Sequence, residues 1–264
     1  MPFVHVNNRV HRYLDEGPKE RPCLVFANSL GSDLRIWDDV AARLLPYFRV
    51  VRYDKRGHGL TDAARPPYSA DELAQDVAGL LDTLAIEQAV ICGVSVGGLI
   101  AQAFALIYPR RAPALILCDT GARIGSVDSW QQRVDTVLAG GLKPLESPTM
   151  ERWFSAPFRE RRPADIRGYS NMLLQTSVAG YVGTCCALRD SDFRQAISRL
   201  RIPTLVLCGA DDIATPPELG TELAGLIPGA QFSLIENAAH LPCIEQPEKM
   251  TETMMQFFEE VQIV

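Results

Sequence analysis

Short apolar runs recur along this chain, each closed by turn-forming residues. Cys23-Leu-Val-Phe-Ala27 lies between Pro22 and Asn28. Val50–Tyr53, Ala89–Cys92, Leu115–Cys118, Thr204–Cys208 and Phe232–Ile235 have the same character. Continuous runs of four or five such residues predict strands buried on both faces, as in a parallel sheet covered by helices. Phe3–Val6 and Val10–Leu14 alternate weakly and predict edge strands.

Helical patterns fill the gaps. Ser69-Ala-Asp-Glu72 is a capping box, in which serine and glutamate each satisfy the other's backbone amide. Behind it, Leu73, Val77, Leu80, Leu81 and Leu84 fall on one helix face. Further helices are expected from Ser95 to Tyr108, from Pro216 or Pro217 to Ile227, and from Glu248 to about Val261. This alternation predicts an α/β fold with a mostly parallel, doubly wound sheet. Residues 123–190 break the rhythm. They hold no strand-like run, only helix-like segments near Ser129–Leu138, Met150–Phe154 and Arg167–Leu188, with six aromatics among them. The expected organisation is a core of residues 1–122 and 191–264 carrying a helical lid, residues 123–190.

Charge and cysteine usage narrow the function classes. Lys and Arg number 26 against 32 Asp and Glu, a net charge of −6, which argues against nucleic acid as a partner. No apolar stretch approaches the ~18 residues of a membrane span. Met1 to Asn8 lack the charged and apolar regions of a signal peptide. Seven scattered cysteines, mostly inside apolar runs, suit buried thiols in a reducing compartment, so a cytoplasmic location is expected. Adjacent Cys185 and Cys186 fit no Cys-x-x-Cys pattern, and no His-x-x-x-His or Cys/His cluster points to a metal.

The sharpest local signal is Gly93-Val-Ser95-Val-Gly97-Gly98, between an expected strand and an expected helix. Gly-x-Ser-x-Gly in that setting is a nucleophile elbow. The serine must sit at the tip of a strained turn, with glycines where side chains would collide. The helix that starts there aims backbone amides at a developing oxyanion.

A serine needs a base. His5 and His11 lie in the N-terminal strands and read as surface or edge-strand residues. His58 sits in the loop Arg56-Gly-His-Gly59, and His240 in Asn237-Ala-Ala-His-Leu-Pro242. Both follow strand ends, where sites form in a parallel sheet. The chain order Ser, acid, His selects His240. The acid then lies between Ser95 and His240, with Asp119, Asp211 and Asp212 as candidates. The oxyanion needs the Val96 amide and a second one from the loop Asn28-Ser-Leu-Gly31, where Leu30 is the candidate.

These residues resemble the α/β-hydrolase family over nearly the whole chain and, within it, the 3-oxoadipate enol-lactonases of bacterial aromatic catabolism. The narrower resemblance rests on Asn28-Ser-Leu-Gly-Ser-Asp33 with Ile36-Trp-Asp38, and on Tyr53-Asp-Lys-Arg-Gly-His-Gly-Leu60. It rests also on the lid segments Trp130-Gln-Gln-Arg133, Glu151-Arg-Trp-Phe154 and Gly180-Tyr-Val-Gly-Thr-Cys-Cys-Ala-Leu-Arg-Asp190. The resemblance implies Ser95 as nucleophile, Asp212 as acid, His240 as base, and Leu30 and Val96 as oxyanion donors. Val96 is a departure, since relatives often carry Met there, but only the backbone amide is needed. It implies a small anionic lactone as substrate, no cofactor, and the β-ketoadipate pathway as setting. Arg133 beside Trp130 is the first choice to meet the substrate carboxylate, with Arg152 and Arg189 behind it, and Trp153 as a further wall. Rival readings on the same scaffold are a carboxylesterase, a perhydrolase, a carbon–carbon bond hydrolase and a hydrolase-like binding receptor.

Overall fold

The computed structural model describes residues 3–264, so Met1 and Pro2 of the N-terminal stretch lie outside it. Eight strands form one sheet: β1 (Phe3–Val6), β2 (Arg9–Glu16), β3 (Cys23–Ala27), β4 (Arg49–Tyr53), β5 (Val90–Val94), β6 (Leu115–Cys118), β7 (Thr204–Gly209) and β8 (Gln231–Ile235). Their order is β1-β2-β4-β3-β5-β6-β7-β8. β2 pairs antiparallel with β1 and with β4, and every later pairing is parallel.

Around the sheet lie α1 (Asp38–Leu44), α2 (Ala70–Thr83), α3 (Val96–Ile107), α4 (Val127–Gly140), α5 (Glu146–Trp153), α6 (Ala156–Arg161), α7 (Pro163–Leu174), α8 (Val178–Asp190), α9 (Pro217–Leu226), α10 (Pro242–Glu245) and α11 (Pro247–Glu260). Successive strand residues point to opposite faces. Thus Leu24 and Phe26 join one apolar cluster with α1 and α11. Cys23, Val25 and Ala27 join the other, with α2, α3 and α9. The capping box forms as expected, with Ser69 Oγ accepting from the Glu72 amide and Glu72 accepting from that of Ser69. α4 to α8 follow one another without an intervening strand, and their Val134, Trp153, Phe154, Leu173 and Tyr181 are continuous with the α1/α11 cluster.

Several sequence expectations need correction. β2 is not an edge strand, because β1 covers it. His11 on it is buried, and the Asp62 carboxylate and Thr61 hydroxyl bind the Val10 and Arg12 amides on either side of it. β5 runs on to Val94, because Gly93 pairs with both Ala27 and Leu117 rather than breaking the strand. β8 is the far edge, with Phe232 and Leu234 exposed, so its apolar run does not mark burial on both faces. The expected lid helix from Arg167 to Leu188 is two helices, α7 and α8. Ser177 caps the second through the Gly180 amide, and Thr176 Oγ1 donates to Gly31 O at 3.3 Å. α1 and α6 are additional helices that the pattern reading did not mark.

Candidate active site

Between the end of β5 and the start of α3, Ser95 alone makes the turn, with φ 61° and ψ −121°. That left-handed backbone is costly for serine and persists only where its surroundings hold it. The Ser95 amide donates to Cys118 O at 2.9 Å, and Ser95 O accepts from Thr120 Oγ1 at 2.8 Å. The glycines around it mark close backbone approach. A Cβ on Gly93 would lie 2.1 Å from the Gly97 carbonyl oxygen, and one on Gly97 2.1 Å from that of Ala27.

The acid and base are brought together by the next strand ends. β7 closes on Gly209, where a Cβ would lie 2.1 Å from Ala239 O. The following turn therefore seats against the residues before His240, with Ala210 N donating to Ile235 O and Asp211 N to Ala238 O. His240 Nδ1 and Asp212 Oδ2 are 2.8 Å apart, both side chains buried. Thr215 completes this group: its hydroxyl donates to Asp212 Oδ2 at 2.7 Å and lies 3.2 Å from His240 Nδ1. It stands three residues after Asp212, a spacing at which a side chain can turn back on an aspartate. Burial pushes the Asp212 carboxyl up, but His240, Thr215 and the Ala214 amide hold it below its ordinary value. With Nδ1 bound to Asp212, Nε2 is left as the proton acceptor.

The three candidate acids separate cleanly. Asp211 is exposed. Asp119 is fully buried at the end of β6, with φ 44°, and its Oδ1 accepts from the Gly209 amide at 2.8 Å. Burial, and then the charge of Asp212, raise its carboxyl well above the ordinary range. It stands behind the pair, bonded to the β7 backbone rather than to the imidazole. Asp119, Asp212 and His240 bring ligand-type atoms within 4.8 Å of one another, but the Asp212 and His240 atoms are committed to each other.

Two backbone amides are the candidate oxyanion donors. Val96 opens α3 and has no carbonyl four residues back within the helix. Leu30, in the loop after β3, likewise donates to no backbone or side-chain acceptor among the described residues. Ser95, His240 and Leu30 line one cavity of about 450 Å³ with Trp130, Arg133, Arg152, Trp153 and Tyr181. The Arg133 guanidinium lies 5.3 Å from the Trp130 ring centre. Trp130 Nε1 donates to Ile124 O, and Trp153 is both cavity wall and core. Arg189 is turned away, held by Asp190 and by Gln131. His58 is buried in its own loop, Nδ1 3.1 Å from Arg56 O, and does not line the cavity. Thr215 and Tyr181 are site residues that sequence reading passed over.

Such an arrangement can activate a serine hydroxyl, hold an oxyanion and pass a proton, which is the equipment of acyl transfer. Residues 22–247 match the family described as alpha/beta hydrolase fold. The chain is 38% identical over 254 residues to "3-oxoadipate enol-lactonase 2" of Acinetobacter baylyi, covering 94% of this chain and 95% of that one. It is 35% identical to "3-oxoadipate enol-lactonase 1" of the same organism, covering 98% of each. The crystal structure of the enol-lactonase from Burkholderia xenovorans LB400 superposes with a TM-score of 0.95 at 36% identity, over 98% of this chain and all of that one.

Proposed function

Because the chain belongs to the alpha/beta hydrolase fold family, we propose that this hydrolase opens 3-oxoadipate enol-lactone to 3-oxoadipate through an acyl-enzyme on Ser95. The observation that carries the substrate assignment is Arg133. It faces the cavity that holds Ser95 and His240, stacked on Trp130, and forms no ion pair among the described residues. An anionic lactone supplies the missing carboxylate.

In the first half-reaction His240 Nε2 takes the Ser95 proton as Oγ attacks the lactone carbonyl. The negative oxygen of the tetrahedral intermediate is met by the Leu30 and Val96 amides. The ring carbon–oxygen bond then breaks, and the ring oxygen leaves as an enol, protonated by His240. That enol tautomerises to the ketone while still tethered as part of the acyl chain. Water, deprotonated by His240, attacks the acyl carbon, and the Ser95 oxygen leaves with its proton restored. Asp212 holds the imidazole tautomer throughout and stabilises its charged form. The same reading assigns the enzyme to the cytoplasm and to aromatic-compound catabolism. The seven buried free thiols support that compartment.

The test is kcat/KM on freshly generated enol-lactone against neutral phenyl acetate, with Ser95→Ala as control. A preference of at least about tenfold for the lactone is expected from one charge-assisted hydrogen bond. Equal efficiency on the two would replace the assignment by a broad esterase.

A further inference from the structure

Lys55, in the loop after β4, is 1% exposed, yet no carboxylate bonds to its ammonium. Nζ donates to Ser29 O at 2.5 Å and to Ser32 O at 3.3 Å. The acids around it are engaged elsewhere. Asp54 accepts from the Leu34 and Leu60 amides and lies 3.5 Å from Arg12. Asp33 is held by Arg35. The His58 ring beside it is pushed well below its ordinary value by burial and then by the lysine's charge. A buried ammonium with only carbonyl partners is expensive, and an apolar side chain would fill the same space.

The carbonyl it grips explains its place. Ser29 C=O and Leu30 N–H are the two ends of one peptide group. A cation on the oxygen withdraws electron density from that peptide and strengthens its N–H as a donor, as hydrogen-bond chains do in a low-dielectric interior. It also fixes the direction in which the Leu30 amide points. We propose that Lys55 is a positioning residue that aims and polarises the Ser29–Leu30 peptide, so that the Leu30 amide binds the reaction's oxyanion more strongly than an unassisted amide would. This rests on the reading of Leu30 as an oxyanion donor and extends it to a residue that never touches substrate. Burial draws the Lys55 amine down to about 7, against the opposing pull of Asp54 and Asp33. Its charge is therefore best tested on the acid side of neutral.

The experiment compares wild type, Lys55→Met, Lys55→Arg and Ser95→Ala at about pH 6 on p-nitrophenyl acetate, an uncharged ester that needs no lactone assignment. Lys55→Met should lower kcat roughly 10- to 100-fold, somewhat less than deletion of a whole oxyanion donor, with KM moved less than about threefold. Affinity for an alkylboronic acid, which forms a tetrahedral adduct on the serine, should fall by a similar factor. Lys55→Arg should recover much of both. A Lys55→Met enzyme within about threefold of wild type in kcat, or one that loses kcat with boronate affinity unchanged, would overturn the proposal. If Ser95→Ala itself stayed active, the reading of the site would fail instead. Should Lys55→Met not fold, Lys55→Gln keeps a donor, removes the charge, and is judged by the same outcomes.

Discussion

Ser95, His240 and the Leu30 amide stand on loops at strand ends where the backbone is packed against backbone. Trp130 and Arg133 face them from α4, a helix anchored through its buried Val134 and Val137. On the strand-end wall, position is a property of the main chain: Ser95 at φ 61°, and Gly97 and Gly209 with no room for a Cβ. On the lid wall, position is a property of side chains on packed helices. The lid is docked where Gly57 and Gly180 touch, a Cβ on Gly57 falling 2.3 Å from Gly180 Cα. It is docked again where Ser155 and the Ala239 amide share the Glu245 carboxylate. Under the proposed function, the strand-end wall carries chemistry common to any ester and the lid wall carries selectivity.

The hardest blow to that division is the nucleophile. Ser95→Ala should lower kcat by roughly four or more orders of magnitude on lactone and neutral ester alike, since the triad acts as a unit. Activity within about tenfold of the parent on either substrate would break the strand-end half of the comparison. Next comes the acid. Asp212→Asn should cost on the order of a thousand- to ten-thousand-fold in kcat, because the amide favours the wrong imidazole tautomer. The Asp212 carboxyl lies below its ordinary value in the folded protein, so its share of stability is full above the unfolded value and is lost as pH falls through the folded one. Removing it should flatten that acid limb in thermal melts.

On the lid side the expected effect is smaller and selective. Arg133→Ala should reduce kcat/KM for the enol-lactone about ten- to a hundred-fold, mostly through KM, and leave phenyl acetate nearly unchanged. Equal losses on both substrates would make Arg133 a structural lid residue and erase the contrast between the walls. The smallest effect on activity belongs to Asp119→Asn, expected within a few-fold of wild type. Its carboxyl lies well above its ordinary value when folded, so its share of stability is full below the unfolded value of about 4 and is lost as pH rises above it. Asparagine cannot ionise, keeps an oxygen for the Gly209 amide and tolerates the left-handed backbone. A melting temperature a few degrees higher at neutral pH is therefore expected, read by calorimetry. A fall would show that Asp119 serves the triad as an anion.

Much of this was legible in one dimension. Apolar runs located the strands to within a residue or two, and Gly93-Val-Ser95-Val-Gly97 located the turn, because a strained elbow tolerates few residue types. The capping box at Ser69 was legible for the same reason: its partners are three residues apart. Residue pattern alone left Asp119, Asp211 and Asp212 open, and family resemblance pointed to Asp212. Tertiary structure separates the two acids at neighbouring strand ends by placing Asp212 on Nδ1 of a histidine 28 residues away and burying Asp119 behind it. Only tertiary structure turned Arg133 inward and Arg189 outward on α4 and α8, helices that pack together, and put Lys55 beneath a loop 26 residues earlier in the chain. Local pattern reports which residues seek burial and which backbone shapes are affordable. Which partner a charge meets depends on chain crossings that no local spacing records.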